Sequence, residues 1–215
     1  MSEFSDSYHL RTNNPLEAVE LIRTTERTGA VLPPQGNWTT FLIEGPTSAP
    51  LADLVENNTG LLLHYIHADD HGCWLRFFIG PKELTEASCC WEDPNEKANL
   101  LQEMESLEAM RQAGYPIDED ALVPTDGSLA RDLSLDFAPH LLVDHGFCDQ
   151  ETSIVLYDLC DRPQYPDLEN RYPIAKALGL PFHKWLSCTD LTHLSWDEWR
   201  SAYPGLILVD KPQQS

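Results

Sequence analysis

Hydrophobic residues in the N-terminal half of the chain come in short β-type runs separated by turn residues, a pattern typical of strands joined into hairpins. The clearest case is Leu61 to Ile79, where two such runs flank the break Ala-Asp-Asp-His-Gly. This stretch predicts a hairpin with an ionisable tip. Further strands are predicted at Tyr8 to Arg11, Ala30 to Leu32, Trp38 to Ile43 and Leu84 to Trp91.

Helices are predicted where apolar residues recur every three or four positions. Asn14 and Pro15 supply an N-cap and a first-turn proline for a helix that runs to about Ile22, and Gly29 is expected to cap its C-terminal end. Two more helices are predicted at Ser48 to Asn57 and from Asp93 to Gly114.

The C-terminal third mixes both patterns. The sequence predicts helices at Pro139 to His145, at Leu168 to Leu178 and after the capping-box residue Ser195, and strands at Ser153 to Leu159 and Gly205 to Val209.

The order of these elements favours an α+β fold, because most predicted strands come as hairpins rather than as regular β-α-β units. We expect a largely antiparallel or mixed β-sheet with amphipathic helices packed on it. Residues 1–114 would form an N-terminal α+β lobe, 115–136 an acidic connection, and 137–215 a C-terminal mixed lobe. The alternative is one continuous domain.

Charge changes the picture of possible partners. The formal net charge is −21. The segment from Glu92 to Asp136 contains twelve Asp or Glu but only three basic residues, Lys97, Arg111 and Arg131, so its local net charge is −9. Such a surface repels phosphate backbones and anionic lipids, so neither nucleic acid nor membrane is an expected partner. A basic protein partner is favoured instead, with a merely solvated acidic surface as the simpler alternative.

Six cysteines are scattered without a Cys-x-x-Cys pair, and the N-terminus carries no basic and apolar leader pattern. These features predict a reduced, cytoplasmic protein whose cysteines act as small core residues. Glycine-rich phosphate-binding motifs do not occur in the sequence, so no cofactor is predicted.

Candidate chemistry gathers at the tip of the predicted hairpin. His67, Asp69 and His71 share one face if the strand stays extended, and Asp70 and Cys73 lie nearby. Two imidazoles and a carboxylate can bind a divalent metal, although an ordinary polar turn has the same composition.

Trp196 and Trp199 stand three residues apart, so they share a face of the predicted helix. Large aromatic residues anchor interfaces, but they also fill cores. Both tryptophans are therefore candidates for a binding surface, with the core as the alternative.

Two functional hypotheses follow. The first is a cytoplasmic acidic protein that works by binding, as an interaction or immunity-like antagonist module for a basic partner. The second is a metal-dependent enzyme or metal-binding protein with its site at the His67 to Cys73 hairpin tip.

Overall fold

A computed structural model of the chain describes residues 4–46, 49–68, 72–90, 137–161, 172–184, 186–187 and 195–210. The strands are β1 (Phe4–Leu10), β2 (Gly29–Val31), β3 (Thr39–Ile43), β4 (Leu61–Ala68), β5 (Gly72–Ile79), β6 (Lys82–Cys90) and β7 (Ile207–Val209). The helices are α1 (Pro15–Arg23), α2 (Ala52–Asn57), α3 (Pro139–Asp144), α4 (Gln150–Asp161), α5 (Pro173–Ala177) and α6 (Trp196–Ala202).

All seven strands form one sheet in the order β6-β5-β4-β1-β3-β2-β7, and every neighbouring pair is antiparallel. Strands β1 and β2 run in the same direction with β3 between them, and α1 makes the connection. The α+β class predicted from the sequence is confirmed. The meander β4-β5-β6 is the hairpin pattern that the hydrophobic runs indicated.

Helices cover both faces of the sheet. Helices α1 and α2 pack on the face that carries Tyr8 and Phe41, whereas α3 to α6 pack on the face that carries Tyr65 and Leu42. Because side chains alternate between the two faces, β1 and β4 are buried along nearly their whole length. We call the face under α3 to α6 the inner C-terminal face.

Helix α1 begins as the sequence predicted, with the Asn14 side chain accepting a hydrogen bond from the Leu16 backbone N–H. The predicted C-terminal cap at Gly29 is wrong: the helix ends at Arg23, and Gly29 opens β2. A Cβ on Gly29 would lie 2.7 Å from the Leu42 carbonyl oxygen and 3.0 Å from Ile22 Cδ1. Glycine is therefore required mainly by the close approach of the β3 backbone, with the Ile22 side chain of α1 also near.

The strand predicted at Ser153 to Leu159 is also wrong, since these residues lie in α4. Their β-branched and aromatic side chains favoured a strand. The structure follows the helical period instead: Ser153, Leu156 and Cys160 are buried, and Asp149 accepts a hydrogen bond from the Thr152 backbone N–H at the start of the helix.

Most remaining elements fall close to their predicted positions where the structure describes them, but β1 begins at Phe4, well before the strand predicted at Tyr8. The predicted helix after Asp93 and the acidic connection 115–136 lie outside the described residues, as does the start of the predicted helix at Leu168. None of the described helices is both long and apolar enough to cross a membrane.

Candidate functional site

The two ends of the β4-β5 hairpin tip meet inside the protein. His67 on β4 lies directly opposite Cys73 on β5, and both side chains are buried on the inner C-terminal face. Asp69, Asp70 and His71 lie outside the described residues. The structure therefore brings together two of the five candidates from the tip.

The imidazole of His67 lies among aromatic rings. Its centroid is 5.0 Å from that of Tyr172, and the Tyr172 ring in turn contacts His183 at 4.9 Å. The Lys184 ammonium lies 4.8 Å from the Tyr172 centroid, a cation-π distance. With 1% of its surface exposed, His67 faces this cluster rather than solvent.

A metal site at the tip stays a prediction. Within the described part of the chain, no three His, Cys, Asp or Glu side chains are placed to share a metal ion. The two ligands that would complete the predicted set, Asp69 and His71, are outside it.

Cys73 belongs to a buried group of thiols. It lies opposite Cys89 on β6, and Cys89 Sγ is 3.0 Å from Cys160 Sγ on α4. The hydrogen bond from Cys89 and burial both raise the pKa of Cys160 far above its usual range. Because the thiolate is the reactive form, Cys160 stays protonated and unreactive as a nucleophile at neutral pH.

The two candidate tryptophans lie on α6. The Ser195 hydroxyl accepts a hydrogen bond from the Glu198 N–H, and the Glu198 carboxylate accepts one from the Ser195 N–H, which is the capping box that the sequence predicted. Trp199 is 2% exposed and stacks on Tyr203 with centroids 5.4 Å apart. It packs in the core beneath α6, while Trp196 is the first residue of the helix.

A row of polar side chains on the central strand was not predicted from the sequence. Ser5, Ser7 and His9 alternate along β1, point to the inner C-terminal face and are completely buried. The Ser5 hydroxyl accepts a hydrogen bond from the Leu186 N–H at 3.4 Å. The sequence predicted a strand only from Tyr8, so Ser5 and Ser7 lay outside it, and alternating polar residues would by themselves predict a solvated face.

His9 is held by hydrogen bonds on both ring nitrogens. Its Nε2 lies 3.0 Å from Ser7 Oγ, and its Nδ1 lies 2.9 Å from Thr40 Oγ1. Thr40 donates its hydroxyl proton to the Pro181 carbonyl at 3.3 Å, so it accepts from Nδ1. Nε2 is then left to accept from the Ser7 hydroxyl, which fixes a neutral tautomer.

The pKa of His9 agrees with a neutral ring. Burial first, then the neighbouring His183 and His64, lowers the pKa of His9 to about 3. A serine hydroxyl aimed at a neutral imidazole resembles the start of a nucleophilic relay. However, Ser7 and His9 are fully buried, and the third group is a threonine rather than a carboxylate. The network instead joins the sheet to Pro181 and, through Ser5, to Leu186.

A different surface is exposed on α4. Ile154, Val155 and Tyr157 are 55%, 43% and 47% exposed, and they make up three of the four large exposed apolar side chains among the described residues. Glu151 and Asp158 are exposed on the same helix. We call these five residues the α4 surface.

Comparisons with models of protein families, with characterised proteins and with solved structures found no match for this chain. Its function therefore has to follow from the residues themselves.

Proposed function

We propose that the protein works in the cytoplasm by binding a basic protein partner, as an interaction or immunity-like antagonist module. The net charge of −21 supports this proposal, because it accelerates encounter with cationic surfaces and disfavours anionic ones. Nucleic acid and membrane surfaces are not proposed as partners for the same reason.

The observation that carries the proposal is the distribution of charge on the C-terminal helices. Residues 137–161 contain no Lys or Arg. Four of their carboxylates are exposed: Asp144, Asp149, Glu151 and Asp158. No described Lys or Arg forms an ion pair with any of the four. This region is therefore available to cations supplied by another molecule.

The thiols support the proposed compartment. Among the described residues, Cys73, Cys148 and Cys160 carry free thiols, and the sulfur atoms of Cys89 and Cys160 are 3.0 Å apart, a hydrogen-bond distance rather than a disulfide bond length. Free thiols in this number are typical of proteins kept in a reducing environment.

Affinity purification of the tagged protein from host cells, followed by mass spectrometry, tests the proposal. Proteins with strongly basic sequences should be enriched at about 0.15 M salt and released at about 0.5 M, where screening shortens the range of charge interactions. Each recovered partner is then purified and titrated by calorimetry, and a stoichiometric complex is expected. Enrichment no greater than that given by an unrelated protein of equal net charge would contradict the proposal.

A further inference from the structure

Helix α4 has buried residues on one side and exposed apolar residues beside carboxylates on the other. Ser153, Leu156 and Cys160 face the sheet, where Leu156 and Cys160 are each 2% exposed. Ile154 and Tyr157, three residues apart, are neighbours on the helix and reach solvent. Single exposed apolar residues are common, but a contiguous set on one helix marks a contact surface.

Carboxylates border this apolar set. Glu151 lies one turn before Ile154 and Val155, and Asp158 lies one turn after both. Both carboxylates are exposed, and no described Lys or Arg pairs with either. Exposed apolar residues beside carboxylates suit a partner segment that carries both apolar and basic side chains.

We propose that the α4 surface is where the partner docks, and that it binds a cationic amphipathic segment whose apolar side chains cover Ile154, Val155 and Tyr157 while its Lys or Arg residues pair with Glu151 and Asp158. This inference rests on the proposed function and names its site. Charge complementarity selects the occupant: a second copy of this chain would place carboxylates against carboxylates, which is destabilising.

The α4 surface is also held firmly. Leu156 and Cys160 pack into the core, the Cys89 sulfur lies 3.6 Å from the Leu159 carbonyl oxygen, and Asp149 caps the first turn. A rigid surface loses little conformational freedom on binding, which favours affinity.

A synthetic helical peptide of Leu and Lys, with Leu at helical spacing, serves as the probe, and binding is measured by fluorescence anisotropy. Two other peptides, one with Glu in place of Lys and one with Ser in place of Leu, separate charge from apolar contact. We expect the Leu and Lys peptide to bind most tightly of the three.

Two pairs of variants locate the contact. Ile154→Ser with Tyr157→Ser should weaken binding of the Leu and Lys peptide by about tenfold or more, because both anchors leave the interface. Its control is Leu16→Ser, which removes the other large exposed apolar residue, at 59% exposure on α1, and should leave affinity unchanged.

The two carboxylates of the α4 surface are tested with a control variant that removes the same number of charges elsewhere. Glu151→Gln with Asp158→Asn and the control Glu26→Gln with Glu56→Gln each remove two negative charges from the net −21. Only the first pair should weaken binding by several-fold, since the control carboxylates are exposed elsewhere. Circular dichroism verifies that every variant is folded.

The outcomes separate the two proposals. Salt-sensitive binding that all variants share equally would overturn the α4 surface while leaving the proposed function intact. Failure of the wild-type protein to bind the Leu and Lys peptide at low salt would count against both.

Discussion

The Sγ atoms of Cys89 and Cys160 lie 3.0 Å apart and connect β6 to α4 across the inner C-terminal face. Both side chains are 2% exposed, so the pair belongs to the core although it lies directly beneath the α4 surface. The geometry ties the last long strand of the hairpin region to a helix that the sequence did not predict. It also makes the thiols sensitive reporters of whether α4 stays in place.

Alkylation rates should separate these thiols from Cys148. The pKa of Cys160 is raised by the hydrogen bond from Cys89 and by burial. Partial burial and then Asp149 also raise the pKa of Cys148, but the Arg11 guanidinium opposes that rise. At pH 8 we expect iodoacetamide to modify Cys160 at least about a hundredfold more slowly than Cys148, because both the thiolate fraction and access are low.

Peptide mass spectrometry after timed quenching measures both rates in one sample. In denaturant, where burial and the hydrogen bond are lost, the two rates should converge. Equal rates under native conditions would show that α4 does not cover Cys160 in solution.

The buried His9 makes stability depend on pH in a defined direction. Its folded-state pKa is about 3, against 6.5 for an ordinary histidine, so between these values the unfolded chain binds a proton that the folded chain does not. The contribution of His9 to the free energy of unfolding should therefore be fully present above pH 6.5. It should decrease as the pH drops toward 3. The slope from this group is up to about 1.4 kcal/mol per pH unit.

Urea unfolding at pH 7, 6.5, 6, 5.5 and 5 tests this assignment, because most carboxylates stay ionised over that range (about pH 5 to 7). His9→Gln keeps a donor and an acceptor but cannot protonate, so its stability curve should lose most of that slope. His140→Gln, at an exposed histidine of α3, is the control and should retain it. Parallel curves for wild type and His9→Gln would remove His9 as the cause.

The strands were predictable because their hydrophobic runs are short, bounded by turn residues and consistent with hairpins. Helix α4 was not, since Ile154, Val155 and Tyr157 have strand propensity and local preference was overridden by tertiary packing. Two features stabilise the helix instead: Asp149 caps its first turn, and Leu156 and Cys160 are buried at helical spacing. The second of these stabilises the helix only when the sheet is there to pack against.

The candidate chemistry was predictable to a smaller degree. That His67 and Cys73 lie close together follows from the hairpin, and the structure places them opposite each other. The sequence does not show that both side chains point into the core, because alternation assigns residues to two faces without saying which face is covered. The buried network of His9 with Thr40 depends on segment 180–187, which is distant in sequence.

The close approach of β2 to the β3 backbone at Gly29 gives a stability test. In Gly29→Ala the new methyl group would lie 2.7 Å from the Leu42 backbone oxygen, which cannot move without disturbing the β2-β3 pairing. We expect the free energy of unfolding to fall by about 2 kcal/mol, in the range that overpacking costs. Gly60→Ala is the control, because its nearest neighbour is the Leu10 side chain at 3.3 Å. A loss in Gly29→Ala no larger than in the control would contradict the predicted close approach.

Whether the chain is one domain or two can be tested by dividing it. The side chains of Trp38 and Phe77 are buried under the C-terminal helices: the Trp38 Nε1–H donates to the Leu178 carbonyl at 3.2 Å, and Phe77 contacts Phe147 at 5.2 Å between centroids. Strand β7 also completes the sheet beside β2. A fragment 1–136 would therefore expose one whole face of the sheet.

We expect fragment 1–136 alone to aggregate or to lack a cooperative unfolding transition, because each large apolar side chain returned to water costs about 1.5–3 kcal/mol. Coexpression with fragment 137–215 should restore a soluble one-to-one complex, since the two pieces share the inner C-terminal face. Size-exclusion chromatography and calorimetry measure both properties. A monomeric fragment 1–136 that unfolds cooperatively would establish two lobes, as the sequence division at 114 and 137 suggests, and the sheet contacts would then be an interface between them.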